Sequence, residues 1–258
     1  MTAPMDPRYD EPALTAFRDI VVIGGGCYGS FYAGQLAEAR ARGKIAFRQV
    51  VLVDRNLACQ AVTEQRLTAG FSLAVDDWDG FLDEFLNREP PGPGAPDDAI
   101  VPSPLMPHLM AHWLGRVAQR RWPGRVARAV SVDRPLGTPY DVLGPDGTRY
   151  VSFADWLCPT HCIEPHICPV TRGPRTWEMK DALARYVAEL DREQPTAGPA
   201  LFVTRHRAFG VGMFDLAEVR SARDQLTEAV ERGAVLVVAT ISSCHGAVGM
   251  LRVAETPA

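Results

Sequence analysis

The chain has 258 residues, 47% of them hydrophobic and 22% charged, which is the composition of a globular protein with a buried core. Its formal net charge of −4 excludes the basic surface that nucleic-acid-binding and membrane-surface proteins carry. No apolar run approaches the roughly 20 residues that span a bilayer, and residues 1–12 lack the pattern of a signal peptide. We therefore expect a cytoplasmic protein with no nucleic-acid partner and no membrane insertion, whose clustered cysteines are ligands or catalytic thiols.

The first predicted elements follow an N-terminal tail, residues 1–18, and form a strand, a turn, a helix and a second strand. Residues 19–24 are a β-branched run that ends in glycine, which predicts a buried strand. Three consecutive glycines lead into a helix predicted over residues 30–42, and a second strand over 49–54 ends in an acid. We attribute the long spacing between the glycines and this acid to an extra loop at 43–48.

Residues 19–56 resemble the first βαβ unit of a Rossmann-type NAD(P)-binding domain, with its G-x-G-x-x-G turn followed by an acidic residue. The resemblance implies that a dinucleotide contacts Gly24, Gly25, Gly26, Cys27, Tyr28, Gly29, Asp54 and Arg55. Gly24 would permit the tight turn, Gly26 the approach of a pyrophosphate, and Gly29 close helix–strand packing. Asp54 would bind the ribose 2′-OH of NAD, whereas Arg55 leaves room for the 2′-phosphate of NADP.

Two single cysteines flank this turn and have no partner nearby in the sequence. Cys27 lies at the start of the predicted helix, where it is either a reactive thiol beside the cofactor or a small residue that fits a crowded turn. Cys59 follows Asp54 shortly, and we interpret it as a packing residue.

A third strand is predicted over residues 71–75, and Asp76 is expected to cap the amphipathic helix that follows. A fourth strand at 99–101 is broken by prolines, so the segment 101–108 should lie beside a bound nicotinamide, because the carboxyl ends of strands line the ligand crevice. The next helix, predicted over 105–121, carries His108 and His112 on one face. His108 is the candidate catalytic residue because it lies nearer the strand end.

The second half again alternates strands and helices. A strand is predicted over 126–132, and apolar runs at 141–143 and 148–153 flank an Asp-Gly pair that is typical of a hairpin. Helices are predicted over 176–192 and 215–233, and strands over 200–204 and 234–240. The fold class is therefore α/β: a Rossmann-like parallel sheet in residues 19–124 and a second α/β portion in residues 125–258, either as separate domains or as one continuous sheet.

Cysteine and histidine are concentrated between residues 158 and 168, which predicts a metal site. Thiolates bind zinc or an iron–sulfur cluster with about four ligands, and Cys158, Cys162 and Cys168 would supply three of them. Cys244 is the expected fourth ligand, because parallel pairing of the last two strands brings their ends together. Histidines are alternative fourth ligands: His161, His166, His206 and His245. The spacing fits neither zinc knuckles nor ferredoxins.

Two other interpretations of this segment stay open. The cysteines are then redox-active or nucleophilic thiols without a metal, or Glu164 is a general acid or base beside an activated water.

The sequence thus predicts an NAD(P)-linked oxidoreductase with a cysteine-ligated iron–sulfur cluster or Zn²⁺ beside its nucleotide site. The alternative is a non-catalytic, nucleotide-sensing or accessory subunit that docks onto a redox partner protein or a larger complex. The absence of a Tyr-x-x-x-Lys pair, or of another assignable hydride-transfer set, favours this alternative.

Overall fold

The computed structural model of the protein describes residues 15–155, 158 and 162–255. The strands are β1 (Thr15–Ile23), β2 (Ile45–Asp54), β3 (Phe71–Val75), β4 (Ala99–Val101), β5 (Arg125–Val130), β6 (Tyr140–Leu143), β7 (Arg149–Ser152), β8 (Thr196–Val203), β9 (Arg205–Ala208), β10 (Val211–Asp215), β11 (Val235–Ile241) and β12 (His245–Glu255). The helices are α1 (Cys27–Ala41), α2 (Gln60–Thr63), α3 (Trp78–Phe85), α4 (Leu109–Arg121), α5 (Met179–Leu190) and α6 (Leu216–Arg232). The expected mixed α/β character is confirmed. None of the helices in these ranges has the length and apolar character needed to cross a bilayer.

The first sheet has the strand order β3-β2-β1-β4-β10-β9. Its first four strands are parallel, while β10 runs antiparallel to β4 and β9 antiparallel to β10. Strand β1 lies between β2 and β4, so the chain leaves β1 toward one side and returns to its other side later. The carboxyl ends of β1 and β4 therefore lie next to each other at a point where the strand order reverses, which is where open α/β sheets bind their ligands.

The second sheet has the order β6-β7-β12-β11-β8, with β5 also paired to β12. Strands β8 and β11 are parallel and end together, because Val203 pairs with Ile241. Strands β6 and β7 form the predicted hairpin, with Tyr140 opposite Ser152. The parallel pairing and the hairpin are both confirmed.

One residue joins the two sheets. Thr204 follows β8, and both its backbone N–H (2.7 Å) and its hydroxyl (2.8 Å) donate to the carbonyl of Ile241 at the end of β11. Strand β9 begins at the next residue and belongs to the first sheet, so β9 and β10 come from the second half of the chain but complete the first sheet.

The two sheets also share a hydrophobic core. Val21 and Ile100 of the first sheet and Leu236 of the second lie in one buried cluster with Trp113 of α4 and Leu226 of α6. Each of these side chains is at most 1% exposed. This contact fixes the edge of one sheet against the other, which is what a site between them requires.

Several predicted bounds were wrong. Strand β1 begins at Thr15, inside the expected tail, and β2 begins at Ile45, so residues 45–48 are strand and not loop. Helix α4 begins at Leu109 rather than residue 105 because Pro107 has no N–H to donate and restricts the residue before it. Helix α3 is capped by Asp77, not Asp76: the Asp77 carboxylate accepts the N–H of Gly80 at 2.9 Å.

Candidate functional site

The glycine turn between β1 and α1 is closed by backbone contacts. Gly24 has φ +88°, in the left-handed region that favours glycine, and its N–H donates to the carbonyl of Val53 at 2.9 Å. A Cβ on Gly29 would lie 1.8 Å from the Gly24 carbonyl oxygen, so the first turn of α1 packs directly on the end of β1. Gly26, the N-cap of α1, has no atom within 4 Å of its Cβ position. The space in front of Gly26 is therefore open.

Gly25 is required for a reason that the sequence pattern does not indicate. A Cβ at this position would lie 2.4 Å from Sγ of Cys59, which is 4% exposed and precedes α2. The Gly25 carbonyl also accepts the N–H of Ala61 at 2.8 Å. Cys59 thus packs against the turn, whereas Cys27 at the start of α1 is exposed.

The Asp54 carboxylate is part of the turn. One of its oxygens accepts the N–H of Gly25 at 2.7 Å and the other accepts the N–H of Asn56 at 2.8 Å. A carboxylate oxygen has two lone pairs, so both oxygens can still accept a hydroxyl proton from a ligand. The neighbouring Arg55 is exposed.

A pocket of about 430 Å³ opens where the two sheets meet. Tyr28 and Tyr32 of α1 and the segments 102–105 and 107 after β4 form its walls from the first sheet. The end of β11, the start of β12 and the β9–β10 hairpin form the opposite side. The cysteine loop contributes Cys158, Cys162 and Glu164. The pocket therefore joins the start of α1 to the cysteine loop, which the sequence treats as two distant motifs.

His206 of β9 lies in this pocket with its ring orientation fixed. Its Nδ1 is 3.1 Å from the carbonyl oxygen of Gly210, and because a carbonyl only accepts, Nδ1 carries the proton. In the neutral ring, Nε2 then has the free lone pair. A Cβ on Gly212 would contact the ring at 3.7 Å, so the imidazole packs over this glycine.

His245, at the start of β12, uses its Nε2 differently. This atom is 2.8 Å from the carbonyl oxygen of Asp155, to which it donates. The thiol of Cys158 lies 3.5 Å from the same carbonyl oxygen. Burial is the main reason that the pKa of Cys158 lies above its ordinary value.

Glu164 connects the cysteine loop to the end of the second sheet. It is 9% exposed, and its two oxygens accept the N–H groups of Cys244 (3.0 Å) and Ser243 (3.2 Å). Burial raises the pKa of Glu164, but the Ser242 hydroxyl, the charge of His206 and the two N–H groups outweigh it, so the pKa lies below its ordinary value. Glu164 is thus an ionised residue that holds the β11–β12 turn, and its φ of +55° is stabilised by these bonds.

The remaining cysteines make separate contacts. Cys244 is buried and accepts the indole N–H of Trp177 at 3.2 Å, and burial followed by the charge of Glu164 raises its pKa to about 12. Burial also raises the pKa of Cys162, whose sulfur accepts the N–H of Glu164 at 3.4 Å. Burial acts the same way on Cys168, but hydrogen bonds from the backbone and hydroxyl of Thr171 outweigh it and lower its pKa. The three thiols therefore differ in their ease of ionisation.

A buried guanidinium lies among these thiols. The charge of Arg175, which is 6% exposed and pairs with Glu178 at 3.1 Å, lowers the pKa of Cys162, Cys168 and Cys244. The pKa of the remaining predicted ligand, Cys158, is instead raised by Cys162 and Cys168.

The predicted metal ligands lie in one region but do not form a ligand set. Across residues 15–155, 158 and 162–255, no three His, Cys, Asp or Glu side chains are placed to hold one metal ion. The alternative ligand His161 lies outside the described residues. As arranged, the four thiols do not fit a metal centre.

The candidate catalytic residue His108 is placed outside the pocket. It is the N-cap residue of α4, its ring is tilted by 56° against that of His112 with centroids 4.6 Å apart, and its Nδ1 is 3.9 Å from a carboxylate oxygen of Asp146. The neighbouring Pro107 lines the pocket, but His108 is not among its lining residues. His206 lines the pocket instead. The one signal for this in the sequence is that His206 follows the end of a predicted strand.

A family model described as "Uncharacterized protein, C-terminal domain", AF_1314_C, matches residues 110–254, which is more than half of the chain. No curated protein sequence and no solved structure matches the chain.

Proposed function

We propose that this chain, which belongs to the AF_1314_C family, is an NAD(P)-linked oxidoreductase whose reaction takes place in the pocket between the two sheets. The observation that carries the proposal is the position of this pocket. It lies between the carboxyl end of β4 and the first turns of α1, the helix that follows β1, at the point where the strand order reverses, and it extends to the ends of β8 and β11.

The first four strands support a Rossmann-type site. Their order, β3-β2-β1-β4, and their parallel direction are those of the first half of doubly wound dinucleotide-binding sheets. Gly24 and Gly29 perform the turn and packing roles that the fingerprint assigns to them, and Gly26 leaves open space at the start of α1. The residues present therefore fit a dinucleotide.

In such a complex the chain's own groups have separable roles. The N–H groups of the first turn of α1, which has no side-chain cap, would hold the phosphates together with the positive end of the helix dipole. Asp54 would accept a ribose hydroxyl, and Tyr28 and Tyr32 would form a flat wall of the pocket. When bound, a nicotinamide supplies a two-electron acceptor or donor.

Binding of NADH to a variant with one added methyl group tests this proposal. Gly26→Ala fills the open space, and we expect at least a roughly tenfold loss of NADH affinity in calorimetric titration. Gly92→Ala is the matched control, because its Cβ also meets no atom within 4 Å but lies in a loop outside the pocket lining. Equal affinity of the Gly26→Ala variant, or no saturable binding of NADH or NADPH by the wild type, would overturn the proposal. Binding without turnover of any artificial electron acceptor would instead indicate a nucleotide-sensing subunit.

The cysteine loop is the second part of the proposal. We propose that Cys158, Cys162, Cys168 and Cys244 ligate zinc or an iron–sulfur cluster when metal is supplied, which requires the thiols to move closer together. The N–H groups that donate to the sulfurs of Cys162 and Cys168 support a site for thiolates. Cys162 and Cys168 raise the pKa of Cys158 by repulsion, which is consistent with three thiols near one another. Elemental analysis of protein purified without oxygen tests this idea. Less than a tenth of an equivalent of zinc or iron per chain would contradict it.

A further inference from the structure

Polar side chains surround the pocket, and one of them, His206, has the geometry of a proton acceptor. His206 donates its Nδ1 proton to Gly210, so its Nε2 lone pair is available to a ligand. His245 uses Nε2 to donate to Asp155, and Glu164 uses both oxygens to hold the β11–β12 turn.

The charges around the pocket restrict its ligand. Among the described residues that line it, none is lysine or arginine, while the ionised Glu164 forms part of the wall. The buried guanidinium of Arg175 is not among the lining residues and pairs with Glu178. Away from the first turn of α1, which would hold the dinucleotide phosphates, a substrate carboxylate or phosphate would lose water without gaining a cationic partner, and such desolvation is strongly unfavourable.

An organic cation is also disfavoured. The oxygens of Glu164 already accept hydrogen bonds from two backbone N–H groups, so its negative charge is largely satisfied within the chain. The remaining polar groups are hydroxyls, thiols and imidazoles, including Thr240 and Ser242. Such a lining suits an uncharged ligand that exchanges hydrogen bonds.

We infer that the pocket binds an uncharged alcohol or carbonyl compound and that Nε2 of His206 is the atom that takes up or returns its hydroxyl proton. This inference rests on the proposed function, which supplies the oxidant. In the oxidation direction the alcohol O–H bond breaks and its proton passes to Nε2. The C–H bond of the hydroxyl-bearing carbon would break as the C=O bond forms, and an oxidised nicotinamide, when bound, would accept that hydrogen with both electrons.

The arrangement on β9 keeps His206 apart from its basic neighbours. Residues alternate between the faces of a strand, so Arg205 and Arg207 lie on the face opposite His206. Both are paired, Arg205 with Glu218 at 2.8 Å and Arg207 with Asp215 at 2.7 Å.

The test is NMR spectroscopy of protein labelled with ¹⁵N at histidine. It uses two probes of similar size, the uncharged benzyl alcohol and the anionic benzoate. We expect the Nδ1-protonated tautomer for His206 in the free protein, and a shift of its Nε2 resonance on addition of benzyl alcohol but not of benzoate. His206→Asn assigns this resonance by its loss, because the asparagine amide can still donate to Gly210. His166→Asn is the control, since His166 is exposed and does not line the pocket.

Each outcome has a distinct meaning. A shift caused equally by benzoate, or by neither probe, overturns the inference even if NADH binds. Absence of NADH binding overturns the proposed function and is measured in the separate titration. For any alcohol that the wild type oxidises, we expect His206→Asn to lower the rate roughly 10²- to 10⁴-fold with NADH affinity unchanged, and an unchanged rate overturns the assignment of Nε2.

Discussion

The packing of α1 on β1 predicts opposite effects for the same substitution at two helical glycines. Alanine is favoured over glycine inside a helix by roughly 1 kcal/mol, so propensity alone predicts that Gly29→Ala and Gly115→Ala both stabilise the protein. The structure separates them. The new Cβ at Gly115 in α4 would meet only Cδ1 of Leu251 at 3.7 Å, an ordinary contact. At Gly29 it would lie 1.8 Å from the carbonyl oxygen of Gly24.

A clash with backbone cannot be relieved by a rotamer change, so α1 must move by more than an ångström relative to β1. Overpacking of a well-packed site costs about 1–3 kcal/mol and sometimes more, and we expect the upper end of this range for Gly29→Ala. In a chain of this size, that corresponds to a fall in Tm of roughly 6–12 °C. Gly115→Ala should raise Tm by about 1–4 °C.

Thermal unfolding followed by circular dichroism measures both changes under the same conditions. The comparison is internal, because both variants add one methyl group to a helix. A Tm for Gly29→Ala equal to or above that of the wild type would show that α1 does not contact the end of β1 through Gly24.

Two further predictions concern charge and thiol exposure. Burial raises the pKa of Asp19, but hydrogen bonds from Arg48 (2.5 Å) and Arg88 (3.0 Å) outweigh it and lower the pKa. The stability that ionised Asp19 supplies is therefore present above its unfolded-state pKa of about 3.9 and is lost as pH falls through the folded-state value. In urea titrations, we expect Asp19→Asn to be less stable than the wild type by about 1–3 kcal/mol at neutral pH and to lose less stability on acidification. Parallel curves of stability against pH for the two proteins would contradict this. In the native protein iodoacetamide should alkylate the exposed Cys27 and spare Cys59, as peptide mass spectrometry can determine, and equal labelling would mean that Cys59 does not pack against Gly25.

The elements that were predictable from the sequence have local signals. Helix α6 is an example: it begins after Asp215, whose N–H donates to Glu218 at 3.3 Å, and it ends at Gly233, which has φ +63°. Both ends depend on residues within one turn of the helix, so the predicted bounds, 215–233, agree with the structure. The Asp146-Gly147 hairpin was predictable for the same reason.

The elements that were missed depend on distant partners. Strand β12 has small and polar residues among its first positions, and it becomes a strand because β11, β7 and β5 all pair with it. Strands β9 and β10 are short, and the pairing of β10 with β4 and of β9 with β10 places them in a sheet whose other members lie more than 100 residues earlier. No local pattern specifies such a partner.

The same limit applies to the site. Asp54 was predictable as a residue of the nucleotide region but not as the acceptor that closes the turn at Gly25. Glu164 follows a cysteine in the sequence, yet its contacts are with Ser243 and Cys244, about 80 residues later.

The chain passes from the second sheet to the first at Thr204, and this explains why the start of α1 and the cysteine loop line one pocket. A parallel pair such as β8 and β11 presents its carboxyl ends at one edge, and so do β1 and β4. If the chain stayed in the second sheet after β8, these two edges would belong to separate layers, and His206 would not line the same pocket as the tyrosines of α1. Because Thr204 bonds to the end of β11 and the next residue enters the first sheet, the two edges are brought together and His206 lies between them. The cysteine loop, held by Glu164, then closes the remaining side. The chemistry of the pocket therefore depends on the connection at residue 204 as much as on either motif.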